Sequence, residues 1–193
     1  MKKMLVLIDN EIESLEIMKE LIMGNEKSQG IETQIICKGK EESLDSIVDK
    51  VEDLIPKEES EQEKINIHIV IDTCLTDDEH EMAVIDENFS GINCLFNISE
   101  MLVGTKCQYK LSIMSRFFAH QLPTLEKLVK FKEENKNSFY AIVRKPFLES
   151  GKVDKGLSIM PQYVDFLPEK LLSKNNTISI INILTYILQG ETK

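Results

Sequence analysis

No stretch of the 193-residue sequence approaches the ~20 consecutive apolar residues that a bilayer-spanning helix needs. The apolar run that precedes Asp9 is also too short for the core of a signal peptide. Only four cysteines occur (Cys37, Cys74, Cys94 and Cys107), with no CxxC and no metal-ligand spacing, so thiols in a reducing compartment are expected. The three histidines, His68, His80 and His120, are scattered, which argues against a zinc site. No Lys/Arg cluster exceeds a pair, and 23 basic against 33 acidic residues leave a formal charge of −10. A nucleic-acid surface therefore lacks its electrostatic footprint. GxxxxGK and GxGxxG are both absent, which removes the phosphate-cradling loops of the common nucleotide folds. There is no internal repeat and no low-complexity segment. A cytoplasmic protein that touches neither membrane nor nucleic acid is the expectation.

What is present is an alternation of two periods. Met4–Ile8 (MLVLI), Ile31–Cys37 (IETQIIC), Ile65–Ile71 (INIHIVI), Tyr109–Met114 (YKLSIM) and Phe139–Val143 (FYAIV) are short apolar runs, the pattern of strands buried on both faces. Between them, apolar residues recur at helical spacing from Ile12 to about Gly24, over Ser43–Ile55, over Gly91–Val103 and from about Leu122 to Lys132. Pro56 stops the second of these helices, and Lys57–Lys64 reads as a charged loop. A last helix is expected over about 177–189, where seven Ile and Leu residues from Ile178 to Leu188 outline an apolar face. His68 falls inside the third strand, satisfied by backbone or solvent. Strand and helix alternating five times imply an α/β fold of flavodoxin-like type. It is a doubly wound, five-stranded parallel sheet in the order 2-1-3-4-5, with helices on both faces. One domain spanning 1–193 is expected, with insertions over about 76–90 and 148–176, longer than ordinary connections.

In a doubly wound sheet, ligands gather beyond the carboxyl ends of the strands. Reading those ends in order gives Asp9 and Asn10, Asp72, Ser115 and Lys145. They supply oxygen ligands for a hard divalent cation, a nucleophilic carboxylate, a hydroxyl donor and an ammonium. Phosphoryl transfer to an aspartate requires this set, because the attacking carboxylate needs an open line to phosphorus and the transferred charge needs donors.

The same residues carry a resemblance. Leu7-Ile8-Asp9-Asn10-Glu11, Ile69-Val70-Ile71-Asp72-Thr73-Cys74-Leu75, Ile113-Met114-Ser115 and Lys145-Pro146-Phe147 stand in the order and at the strand ends found in the receiver domains of two-component response regulators. The chain resembles that family from Met4 to Phe147. The resemblance implies that Asp72 accepts the phosphoryl group and that Ser115 and Lys145 receive its oxygens. It further implies Mg²⁺ held by Asp9, Asn10, Asp72 and the backbone carbonyl of Cys74. A histidine kinase or phosphotransfer protein would act upstream and an unidentified protein target downstream, contacted through the fourth helix, fifth strand and fifth helix of the family. After Lys145 only 48 residues remain, too few for an attached DNA reader, so a stand-alone signalling receiver is expected. It would not be an enzyme beyond its own phosphorylation and dephosphorylation; homodimerisation stays open.

The departures point to an alternative. Asn10 replaces the second acid, and removing one charge ~4 Å from a cation forfeits up to about 4 kcal/mol at an effective dielectric of 20. Glu11 is a substitute ligand to consider. Thr76 stands in place of the family's proline, Arg116 follows Ser115 where a small residue is usual, and Ile142 occupies the aromatic switch position. These favour a pseudo-receiver, the same fold used as a protein-binding module without phosphate chemistry. A haloacid-dehalogenase-type phosphatase would need a second Asp at position 74, which Cys74 occupies.

Overall fold

Five apolar segments pair into one sheet whose strands all run the same way. β1 (Lys2–Asp9), β2 (Ile31–Cys37), β3 (Ile65–Asp72), β4 (Gln108–Ser115) and β5 (Phe139–Arg144) lie in the order β2-β1-β3-β4-β5, every neighbouring pair parallel. This computed structural model describes residues 1–24, 29–62, 64–76, 89–115, 126–144, 148–149 and 152–153; for Leu21, Ser115 and residues 141–144, 148–149 and 152–153 it describes the backbone alone. The flavodoxin-like α/β fold read from the sequence is the fold observed.

The helices are α1 (Ile12–Met23), α2 (Leu44–Glu52), a single turn α3 (Glu59–Gln62), α4 (Ser90–Val103) and α5 (Glu126–Glu134). Crossovers between parallel strands are right-handed, which puts α1 on one face and α2, α4 and α5 on the other. The contacts agree: α1 packs on β1 and β2, and α4 packs on β3, β4, α2 and α5. Phe131 of α5 meets Phe96 of α4 and Phe139 of β5 edge-to-face, with ring centroids 4.8 and 5.9 Å apart. Strand side chains alternate, so Leu111, which is in register with Phe139, shares its face with Ile69, Ile71 and Ile8. Leu5, Leu7, His68, Val70 and Ser112 then occupy the α1 face. Both sets are buried, which is why β1 and β3 read as continuous apolar runs.

Local chemistry sets the ends of the elements. Ser43 caps α2 by accepting from the Ser46 N–H at 3.2 Å. The helix closes earlier than Ile55, because the N–H groups of Leu54 and Ile55 turn to the carbonyls of Val51 and Glu52 three residues back. Gly30 enters β2 at φ 82°, a left-handed conformation that glycine adopts without strain.

Two expectations need correction. Lys57–Lys64 is not wholly loop, since it holds α3. There the Gln62 amide donates to the Pro56 carbonyl at 2.9 Å and its Oε1 accepts from the Lys106 N–H at 3.3 Å, a contact 44 residues away that propensity does not encode. His68 is satisfied neither by backbone nor by solvent. It is fully buried, and its Nε2 lies 2.7 Å from Ser112 Oγ on the neighbouring strand. Its ring meets Tyr140 edge-to-face at 5.8 Å, and Nδ1 has no hydrogen-bond partner among the described residues. The expected last helix (about 177–189) and residues 77–88 of the first insertion lie outside the described residues. The second insertion is described only at β6 (Leu148–Glu149) and β7 (Lys152–Val153), an antiparallel pair. Among the described residues, no helix is long and apolar enough to cross a membrane.

Burial, followed by the nearby Lys110 ammonium, pushes His68 down to about 3 from its ordinary value near 6.5. With the folded value below the unfolded one, the unfolded chain takes the proton first. The stability that depends on a neutral ring is therefore present above pH 6.5 and is lost as pH falls toward 3. Between pH 7 and pH 5 this one group should cost about 2 kcal/mol. Urea unfolding of wild type and His68→Gln at both pH values should show the variant losing less stability on acidification by that amount; equal losses would contradict a buried neutral imidazole.

Candidate functional site

β1 is flanked by β2 on one side and β3 on the other, and the chain reverses direction across the sheet at the β1/β3 junction. In such sheets that junction opens a crevice beyond the carboxyl ends of the strands. Asp9 closes β1 and Asp72 closes β3. Ile8 is in register with Ile71, so the two aspartates that follow stand at one level, on one face, on strands about 4.8 Å apart. Both are buried: Asp9 is 0% exposed and Asp72 4%.

Backbone donors hold both carboxylates. Asp9 Oδ1 accepts the Glu11 N–H at 3.0 Å, and Asp72 Oδ1 accepts the Thr73 N–H at 2.8 Å, with Thr73 Oγ1 at 3.5 Å. The Asp9 carbonyl accepts the Lys38 N–H at 2.8 Å, which continues the β1–β2 ladder past the strand end. Asn10 Oδ1 is enclosed in the protein, and the Asn10 carbonyl accepts from Cys37 Sγ at 3.6 Å. Glu11 Oε2 accepts from Ser14 Oγ at 2.9 Å in the first turn of α1.

On the other side of Asp72, the start of α4 closes over the loop that leaves β3. The Gly91 N–H donates to the Thr73 carbonyl at 2.9 Å, and Ser90 Oγ accepts from the Leu75 N–H at 2.9 Å. A Cβ on Gly91 would lie 1.7 Å from the Asp72 carbonyl oxygen and 2.8 Å from that of Thr73, so only glycine fits. The Thr73 N–H also reaches the Met114 carbonyl at 3.0 Å and ties the loop to β4. Neither Ser90 nor Gly91 was singled out from the sequence. The one available signal was a Ser-Gly pair at a helix start, too common to mark a site.

The remaining expected residues are placed less fully. Met114 is in register with Asp72, so the Ser115 backbone stands one residue farther along the neighbouring strand, in register with Arg144 of β5. Lys145 and Arg116 lie outside the described residues. Cys74 is buried beside Asp72, in keeping with a packing role. No disulfide joins any of the four cysteines. Burial, followed by the negative charge of Asp45, pushes the Cys94 thiol up to about 12, and burial raises Cys37 and Cys107, so these three stay protonated and unreactive at neutral pH.

The donor set suits a hard divalent cation. Two buried carboxylates at one level offer oxygen ligands, as Mg²⁺ prefers. Among the described residues, no three His, Cys, Asp or Glu side chains converge as a metal cluster. A cavity of about 500 Å³ lies at the opposite, amino-terminal edge of the sheet, between Glu52–Lys57 and Gly104–Thr105; none of the expected residues borders it.

Comparison with known proteins finds no matching family model and no matching curated protein.

Gly91→Ala should force the Asp72–Thr73 backbone away from α4 and cost about 1–3 kcal/mol, as overpacking usually does. Denaturant unfolding should show a lower midpoint with an unchanged slope; an unchanged midpoint would mean that the close approach does not hold in solution.

Proposed function

We propose that the chain is a receiver of the two-component type, a cytoplasmic switch that accepts a phosphoryl group on Asp72 and signals by protein contact. The single observation that carries this reading is the pair of buried carboxylates, Asp9 and Asp72, level with one another at the β1/β3 junction. Carboxylates are costly to bury, and two at one level beyond the strand ends stand where ligands of such sheets gather. The pair suits a cation that draws in a phosphorylated donor.

In the proposed reaction an Asp72 carboxylate oxygen attacks phosphorus. The bond from phosphorus to the donor's leaving group breaks, and the leaving group departs with the electron pair, giving an aspartyl phosphate. Bound Mg²⁺, with Asp9, Asp72, Asn10 and the Cys74 carbonyl as its protein ligands, would neutralise phosphoryl charge. The Thr73 N–H donates to Asp72 Oδ1 and helps to orient the carboxylate. Ser115 and Lys145 are the residues proposed to receive the phosphoryl oxygens, as the resemblance implies. A histidine kinase or phosphotransfer protein would supply the phosphoryl group, and a protein target would read the result.

A second reading keeps the fold without the chemistry. The Glu11 carboxylate is bound to Ser14, and Asn10 brings no charge, so Asp9 and Asp72 would supply the only formal charges of the proposed ligand set. Weak cation binding would favour a pseudo-receiver that binds its partner unphosphorylated.

Incubation with Mg²⁺ and acetyl phosphate separates the two. The intact mass should rise by one phosphoryl group, and Asp72→Asn should abolish the gain while keeping the fold by circular dichroism. No gain on folded wild-type protein would remove the first reading.

A further inference from the structure

We propose that Ser90 is a positioning residue for the divalent cation, acting through the Cys74 carbonyl; this rests on reading the Asp9–Asp72 pocket as a cation site. The loop leaving β3 presents three successive carbonyls, from Asp72, Thr73 and Cys74. The first two are directed at the start of α4: the Asp72 oxygen stands against the Gly91 Cα, and the Thr73 oxygen accepts the Gly91 N–H at 2.9 Å. The third is set differently. The Cys74 carbonyl shares its peptide plane with the Leu75 N–H, and in a trans peptide the two point in opposite directions. Leu75 donates that N–H to Ser90 Oγ at 2.9 Å, in a buried hydrogen bond that spans 15 residues of sequence. Anchoring the N–H on α4 turns the Cys74 oxygen away from α4. Ser90 and Leu75 are 6% and 1% exposed, so water does not compete for this bond.

The consequence is a division of labour at the tip of one helix. Gly91 admits the backbone of Asp72 and Thr73, and Ser90 aims the next peptide. Without the Ser90 oxygen the Leu75 N–H would be a buried donor lacking its anchor, and the Cys74–Leu75 plane would lose the restraint that this bond supplies. Outer groups that orient metal ligands typically alter affinity by about 10–100-fold when removed.

The test is calorimetric titration of the full chain with Mg²⁺, comparing wild type, Ser90→Ala and Ser90→Thr. Circular dichroism and urea midpoints serve as folding controls. Ser90→Ala should weaken Mg²⁺ by at least about tenfold, and Ser90→Thr, which keeps the acceptor oxygen, should return close to wild type. A purely structural role would lower the urea midpoint of Ser90→Ala and leave its Mg²⁺ affinity unchanged, which overturns the proposal. Failure of the threonine to rescue a folded protein overturns it as well. Should Ser90→Ala not fold, Ser90→Cys offers a weaker acceptor of similar size and should bind with intermediate affinity; wild-type affinity there counts against the role. If wild-type protein binds no Mg²⁺ at all, the cation reading of the pocket falls and takes this role with it.

Discussion

The pairing of β1 with β3 is the constraint on which the site depends. Because side chains alternate along a strand, a slip of one residue would carry Asp72 to the opposite face and part it from Asp9. Both faces of the two strands are buried, so such a slip would also expose or overpack an entire row of Val, Ile and Leu side chains. The hydrophobic core thereby specifies where two charges meet. Burying those charges is unfavourable in itself, and backbone N–H groups from Glu11 and Thr73 offset part of the cost.

Asp72 is held from a second direction by α4. Its own carbonyl packs on Gly91, the next carbonyl is bound by the Gly91 N–H, and the Leu75 N–H is bound by Ser90. A change at the Asp72 carboxylate thus reaches α4 through three backbone contacts within four residues. From there α4 touches α2 and α5, and Lys127 of α5 donates to Asn93 Oδ1 of α4 at 3.3 Å. Among the described residues, this chain of contacts is one route by which the proposed chemistry could reach the surface. It runs through a helix rather than through position 142, where the family would have its aromatic switch.

The sheet and its carboxyl-terminal residues were legible because strands buried on both faces read as unbroken apolar runs. A polar residue ending such a run, as Asp9 and Asp72 do, stands out at once. The lock on the β3 loop was not legible. Leu75 and Ser90 are separated by a long polar connection, and nothing in either residue's neighbours announces the bond. The single turn at Glu59–Gln62 escaped for a similar reason, since it leans on Lys106. His68 was placed in its strand by period, but its Ser112 partner depends on a diagonal between two strands that periodicity cannot supply.

The two functional readings share one geometry and differ in whether that pocket holds a cation and a phosphoryl group. A crystal structure determined with Mg²⁺ and beryllofluoride tests this most directly, since the beryllium mimics an acyl phosphate on a carboxylate. The account predicts beryllofluoride on an Asp72 oxygen, with the cation bound by Asp9, Asn10, Asp72 and the Cys74 carbonyl. Density for neither group, with Asp9 and Asp72 unchanged, would contradict it.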